Sequence, residues 1–133
     1  MKFVQAIPAK AAALTVLVLL AGVVMFHVLV LAGVVPQNMV WGGRVSNLMQ
    51  MQVLEAVSMF VVLLSMAIIA SKAGYIKPLM PTKSINMALW MLVVFFSLNT
   101  VGNLFSATSV EMILFTPVTF ISALLCYRLV ITK

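Results

Sequence analysis

The sequence contains very few charged residues. Only 8% of its 133 positions carry a charge, and just two of these are acidic, Glu55 and Glu111. It also has a single histidine, His27, and a single cysteine, Cys126. One cysteine excludes an internal disulfide, and one histidine supplies only one axial ligand for a haem. No nucleotide-binding loop, serine–histidine–aspartate order or paired metal-ligand motif is present, so we expect no metal and no other cofactor.

Most of the chain is made of apolar residues. The types AVILMFWYC make up 65% of the chain, well above the roughly half that is usual for soluble domains. A bilayer core of about 30 Å requires roughly 20 apolar residues per helix. Four runs reach that length: 11–35, 46–70, 85–105 and 109–131. These runs do not alternate as barrel strands do. The sequence therefore predicts a single domain over 1–133, an all-α bundle of four transmembrane helices.

The basic residues predict the orientation of this bundle. Seven of the eight lie before the first run, between the second and third, or at the end of the fourth: Lys2, Lys10, Lys72, Lys77, Lys83, Arg128 and Lys133. These segments share one side of the membrane, which the positive-inside rule makes cytoplasmic. We therefore expect both termini inside, in the plasma (inner) membrane. Topology and contact with anionic membrane lipids account for the net charge of +6, so no nucleic-acid partner is expected.

Two polar residues lie at the same predicted depth in the membrane. His27 precedes Pro36 by nine residues, and Glu55 follows Ser46 by nine. At 1.5 Å per residue, each lies about 13 Å below the outer end of its helix. An acidic residue at mid-helix costs roughly 2.5 to 3.5 kcal/mol on insertion scales, which favours a functional role for Glu55. We expect Glu55 either to take up a proton or to pair with a protonated His27.

Other polar groups are expected to face the same interior space. Asn99 and Asn103 lie one turn apart near the outer end of the third run, and Asn99 can hydrogen-bond to either form of Glu55. On the second helix, spacings of three and four place most hydrogen-bonding groups on one face: Arg44, Asn47, Met51, Glu55, Ser58, Val62 and Ser65. Ionisable groups in a membrane avoid lipid. We therefore expect His27, Glu55 and Asn99 to converge between the first three helices.

One basic residue departs from the positive-inside rule, and it lies at the outer end of the bundle. Arg44 is the one basic residue on that side, at a depth similar to that of Glu111. We hypothesise that these two side chains pair, or that Arg44 holds an anionic headgroup or substrate group. Thr108 and Glu111 also fit a capping box at the start of the fourth helix. Pro117 should bend that helix, because it has no backbone N–H to donate. The bend either opens a pocket opposite Glu55 or is one of the prolines that membrane helices tolerate.

Three classes of function fit these features. We favour a protein that binds or transports a proton, a cation or a small polar solute through an outward-half cluster: His27, Arg44, Glu55, Asn99, Asn103 and Glu111. Four helices are few for alternating access, so such a protein would work as a homo-oligomer. The second class is a membrane-embedded enzyme for a lipid-like substrate, with His27 and Glu55 as catalytic acid and base. The third is a non-catalytic accessory subunit of a larger membrane complex.

Overall fold

The computed structural model describes all 133 residues, and every regular element in it is helical. A short helix, α1 (Lys2–Ala6), precedes four long helices: α2 (Ala9–Leu31), α3 (Leu48–Ala73), α4 (Thr82–Leu104) and α5 (Thr116–Val130). A π-helical turn (Glu111–Phe115) leads into α5, and two 3-10 turns (Gln37–Met39 and Trp41–Gly43) lie between α2 and α3. The four long helices, the last taken with its π turn, are long and apolar enough to cross a membrane. The predicted all-helical architecture is confirmed.

The ends of two helices are set by glycines. The first long helix ends at Leu31, four residues before the predicted limit at Val35. Gly33 has a φ of 78°, and its N–H and that of the next residue bond back to carbonyls in the last helical turn. This Schellman arrangement satisfies carbonyls that would otherwise have no partner. Gly74 ends α3 in the same way. The early end of α2 leaves a connection, 32–47, that is long enough to turn back into the bundle.

The four long helices form a ring in which each packs against two neighbours. Helix α2 contacts α3 and α5, and α4 also contacts α5 and α3. The α4–α5 pair is the most closely packed, and the α3–α4 pair is the most loosely packed. We call the end of the ring that carries both chain termini the terminal end. The opposite end, with the connections 32–47 and 105–110, is called the loop end.

Two separate apolar clusters hold the ring together. The larger has 15 buried residues and fills the terminal half, with members from all four long helices. The smaller consists of Val30, Val40 and Met51 and lies at the loop end. Along both α2 and α3, the layer that contains His27 and Glu55 falls between the two clusters. The polar layer therefore interrupts the apolar interior instead of lying at its edge.

The outward faces of the long helices are also apolar. Many large hydrophobic side chains are exposed there: Val18, Met25, Phe60, Leu64, Met91, Leu98 and Phe120. A helix that is hydrophobic on all sides belongs either in the core of a large protein or in a membrane. In a chain of this size, the exposed apolar faces are those expected of helices surrounded by lipid.

Pro117 interrupts the fourth span, and the interruption takes the form of a π turn. The N–H of Thr116 bonds to the carbonyl of Glu111, five residues back, in place of the usual four. Proline lacks an N–H, and its ring crowds the preceding turn, so the regular hydrogen-bond ladder cannot pass through this point. Such π turns are frequent at functional sites. Phe115 and Thr119, on either side of the proline, both line the cavity described below.

Candidate functional site

His27 and Glu55 form a buried pair in the loop-end half of the bundle. The Nδ1 atom of His27 lies 2.5 Å from Oε2 of Glu55. Glu55 is only 1% exposed, and the side chain of His27 is 12% exposed. The two residues lie on consecutive antiparallel helices, His27 four residues before the end of α2 and Glu55 seven residues after the start of α3. Glu55 points into the bundle and not towards its outer surface.

The second oxygen of Glu55 is bound by Trp41, which the sequence-based reasoning did not include in the site. Its Nε1 atom donates a 2.8 Å hydrogen bond to Oε1 of Glu55. A tryptophan just beyond the end of a membrane-spanning helix is expected at the membrane interface. Here the chain turns the indole of Trp41 inwards. Trp41 has a φ of 55°, and Gly42 and Gly43 have φ values of 64° and 70°. The glycine pair was the signal available in the sequence, because two glycines permit such a left-handed turn.

A positive φ is a strained conformation for a residue as large as tryptophan. Such backbone strain costs on the order of 1–3 kcal/mol and persists only where the surrounding structure enforces it. Here the hydrogen bond from the indole of Trp41 to Glu55 holds the residue in this conformation. The packing of the neighbouring Val40 in the small apolar cluster adds to this. We call the segment Trp41–Gly43 the tryptophan turn.

Glu111 holds the tryptophan turn from the other side. Its carboxylate accepts hydrogen bonds from the backbone N–H of Gly42 at 3.0 Å, from Oγ1 of Thr108 at 3.0 Å, and from Oγ of Ser106. The predicted capping box is not formed, because the N–H of Thr108 bonds to the Ser106 hydroxyl and the Thr108 hydroxyl donates to Glu111 instead of accepting a backbone N–H. The only two carboxylate side chains of the protein therefore both hold this one turn.

Arg44 does not form the ion pair with Glu111 that we predicted. Its side chain is exposed, and the only ion pair in the structure joins His27 and Glu55. One backbone N–H and two hydroxyl groups hold Oε2 of Glu111, and Arg44 reaches neither oxygen of this carboxylate. Arg44 and Glu111 still line one shallow groove at the loop end. That Arg44 binds an anionic group there remains a prediction.

Asn99 and Asn103 lie beside the pair without bonding to it. The side chain of Asn99 donates to a carbonyl one turn back in its own helix, at 2.8 Å. Its predicted hydrogen bond to Glu55 is not formed, because both oxygens of Glu55 already have donors. Asn103 lies 3.5 Å from the hydroxyl of Thr119. Both asparagines nevertheless line the same cavity as His27 and Glu55, so the expected convergence on one interior space is observed.

That cavity has a volume of about 340 Å³ and lies between the four long helices and the tryptophan turn. Most of its lining is apolar and comes from every long helix, the last taken with its π turn: Leu20, Val23, Phe26, Val61, Val62, Phe96, Phe115 and Val118. Its charged groups lie towards the loop end, on His27, Glu55 and Glu111. An apolar pocket of this size with a few convergent polar groups is typical of a small-molecule site.

Two residues that line the cavity, Val57 of α3 and Phe95 of α4, are also exposed on the outer surface, at 56% and 38%. Because α3 and α4 are the most loosely packed pair of neighbours, we infer that the cavity opens sideways between them. At the loop end, Trp41, Asn103 and Glu111 line both the cavity and the shallow groove, so the two adjoin there. In a bundle that spans a membrane, a mouth at this position faces the hydrocarbon of the lipid.

His27 and Glu55 share one proton between Nδ1 and Oε2. When Glu55 is ionised it can only accept, so Nδ1 of His27 is then the donor. The other ring nitrogen, Nε2, makes no hydrogen bond to the protein, and His27 lines the cavity. With Nδ1 as the donor, a neutral His27 offers a lone pair at Nε2, and a protonated one offers an N–H there. A proton can therefore be taken up or given back at Nε2 while Nδ1 stays in contact with Glu55.

These residues do not form a recognisable metal centre. The structure contains no cluster of three or more histidine, cysteine, aspartate or glutamate side chains that could hold a metal ion. No protein-family model, curated protein or solved structure matches the chain, so its function must be inferred from the cavity itself.

Proposed function

We propose that this is a multi-pass protein of the plasma membrane, with both termini in the cytoplasm, whose His27–Glu55 pair binds and releases a proton within the cavity. The observation that supports the proposal is the 2.5 Å contact between Nδ1 and Oε2, with Glu55 almost fully buried. A carboxylate next to an imidazole stabilises the imidazolium. Histidine is also the side chain that ordinarily changes its charge near neutral pH. In the proposed orientation the pair lies in the outward half of the membrane.

A proton suits this site better than a metal cation does. Both oxygens of Glu55 are already hydrogen-bonded, and no group of three or more histidine, cysteine, aspartate or glutamate side chains is available to complete a metal site. A proton at Nε2 of His27 requires no rearrangement. The polar face of α3 is also better suited to an internal site than to docking another subunit. Glu55 and Ser65 on this face are each only 1% exposed, so a partner could not contact them.

One observation favours acid–base catalysis as a second candidate function. Nε2 of His27 is free, and the cavity that His27 lines can hold a small molecule. The proton would then be exchanged with a bound substrate. Turnover in detergent without any gradient would identify an enzyme. Proton flux into liposomes that depends on an added solute would identify a transporter.

The single histidine allows a direct test of the proton site. In protein labelled with ¹⁵N-histidine, every imidazole signal comes from His27. We expect the Nδ1 signal of the wild type to report the proton that His27 shares with Glu55. In Glu55→Gln this signal should shift, because the carboxylate that shares the proton is lost.

Glu111→Gln is the matched comparison, because it removes the only other carboxylate side chain, which makes no contact with His27. It should shift the Nδ1 signal of His27 less than Glu55→Gln does. Equal shifts of this signal in the two variants, or no shift in Glu55→Gln, would contradict the proposal.

A further inference from the structure

The geometry points to a lipid-soluble phenol as the molecule that the cavity binds. Its aromatic ring lies among the phenylalanines of the cavity, its hydroxyl donates to Nε2 of His27, and its alkyl tail leaves between α3 and α4. This inference rests on the proposed function, because it uses the same free nitrogen of His27. Three features of the cavity support it: its aromatic lining, its charge and its lateral mouth.

The lining is rich in aromatic side chains. The chain has eight phenylalanines, two tryptophans and two tyrosines, and five of these twelve residues line this one cavity: Phe26, Trp41, Phe95, Phe96 and Phe115. The rings of Phe26 and Phe115 meet edge to face, with centroids 4.7 Å apart. Aromatic rings favour such contacts at 4.5–7 Å. An engineered apolar cavity of roughly 150 Å³ binds benzene, so a cavity of about 340 Å³ accommodates a substituted ring.

The charges around the cavity favour a neutral hydroxyl group. Two carboxylates, Glu55 and Glu111, lie in its wall, whereas Arg44 lines only the groove outside. An anionic ligand would meet this negative wall, and a cationic ligand would have to leave lipid for a largely apolar cavity. A neutral His27 offers an acceptor at Nε2. A phenol is a suitable donor for that acceptor, and its weakly acidic hydroxyl can exchange a proton with the imidazole.

The mouth of the cavity explains why the ligand is lipid-soluble. Val57 and Phe95 at the α3–α4 opening are apolar and exposed at mid-helix depth. An alkyl tail that passes between them stays in the hydrocarbon of the membrane. At the loop end, by contrast, the lining includes the carboxylate of Glu111 and the amide of Asn103, which are unfavourable surroundings for an alkyl tail.

The test uses the full chain in lipid nanodiscs, with nonylphenol and nonylbenzene as probes that differ only in the hydroxyl group. Binding is followed by the fluorescence of Trp41 in a Trp90→Phe background, where Trp41 is the only tryptophan. We expect nonylphenol to bind saturably and to shift the ¹⁵N signal of Nε2 more than that of Nδ1. Nonylbenzene should bind about tenfold more weakly, equivalent to about 1.4 kcal/mol, and leave Nε2 unchanged.

Two exposed valines on α3 test the route of entry. Val57 lines the mouth, and Val53, one turn away, does not; they are 56% and 57% exposed. Val57→Trp should weaken nonylphenol binding about tenfold or more by closing the mouth, whereas Val53→Trp should bind as the wild type does. Equal binding of the two probes, or equal effects of the two tryptophan variants, would overturn the inference.

The outcomes also separate this inference from the proposed function. If nonylphenol leaves the His27 signals unchanged while Glu55→Gln still shifts the Nδ1 signal, the phenol assignment is wrong and the proton site stands. If Glu55→Gln changes nothing, the proton site itself is wrong, and the phenol assignment that rests on it falls too.

Discussion

Replacing Trp41 with phenylalanine isolates the hydrogen bond that joins the tryptophan turn to the site. The substitution keeps an aromatic ring but removes the N–H that lies 2.8 Å from Oε1 of Glu55. Glu55 is 1% exposed, so bulk water cannot reach it to replace the lost donor. One carboxylate oxygen then stays buried with no partner. Leaving such a group unpaired costs more than the net value of an ordinary hydrogen bond.

The magnitude follows from the charge on the acceptor. Hydrogen bonds to charged groups contribute about 1.5–3 kcal/mol, and neutral ones about 0.5–1.5 kcal/mol. We therefore expect Trp41→Phe to lower the free energy of unfolding by about 2 kcal/mol in the wild type. In a Glu55→Gln background the acceptor is neutral, and the same substitution should cost about 1 kcal/mol. The double-mutant cycle should thus give a coupling energy of about 1 kcal/mol.

The second tryptophan of the chain is a matched control. Trp90 is 48% exposed, contacts Tyr127 edge to face and donates no hydrogen bond through its indole. Trp90→Phe should change stability by no more than about 0.5 kcal/mol. All variants can be unfolded with sodium dodecyl sulfate in mixed micelles and followed by circular dichroism. The reasoning is refuted if Trp41→Phe costs no more than Trp90→Phe, or costs the same with and without the Glu55 charge.

Two further predictions concern topology and the tryptophan turn. The bundle is expected to be oriented with both termini inside the cell. In a chain without Cys126, a cysteine at Ser46 should therefore react with an impermeant thiol reagent added outside the cell, and one at Thr82 should not. The reverse pattern contradicts that orientation. Gly43→Ala should destabilise more than Gly42→Ala. Both substitutions incur roughly 1–2 kcal/mol for a left-handed conformation, but only at Gly43 would the new methyl group lie 3.3 Å from a backbone oxygen. Equal losses of stability, measured by the same unfolding assay, would show that this contact is unimportant.

The helices are the part of the fold that the sequence predicts best. A backbone in lipid must satisfy its own hydrogen bonds, so each apolar run of about 20 residues becomes a helix almost regardless of its neighbours. The helix ends depend on finer local competition. The first run remains apolar up to Val35, yet α2 ends at Leu31. The helix ends early because Gly33 adopts a left-handed conformation in which the last carbonyls of the helix are hydrogen-bonded before Pro36 is reached.

Depth along a helix predicts some contacts in the site and misleads about others. His27 and Glu55 were predicted to meet because the predicted helix limits put them at the same depth, and they do meet, although four residues of α2 follow His27 and seven of α3 precede Glu55. The same reasoning paired Arg44 with Glu111, but donors at the start of the fourth span and the tryptophan turn bind that carboxylate first. Equal depth brings groups within range, and local donors decide which pairs form.

The sequence by itself determined the number of helices, their approximate limits and the depth of each polar group, because these follow from local composition and a rise of 1.5 Å per residue. Only the tertiary structure decided that Trp41 returns to bind Glu55 and that the cavity opens between α3 and α4. Those features depend on the rotation of each helix about its axis and on the path of the connection 32–47. Both are set by the packing of all four helices together, which no single segment encodes.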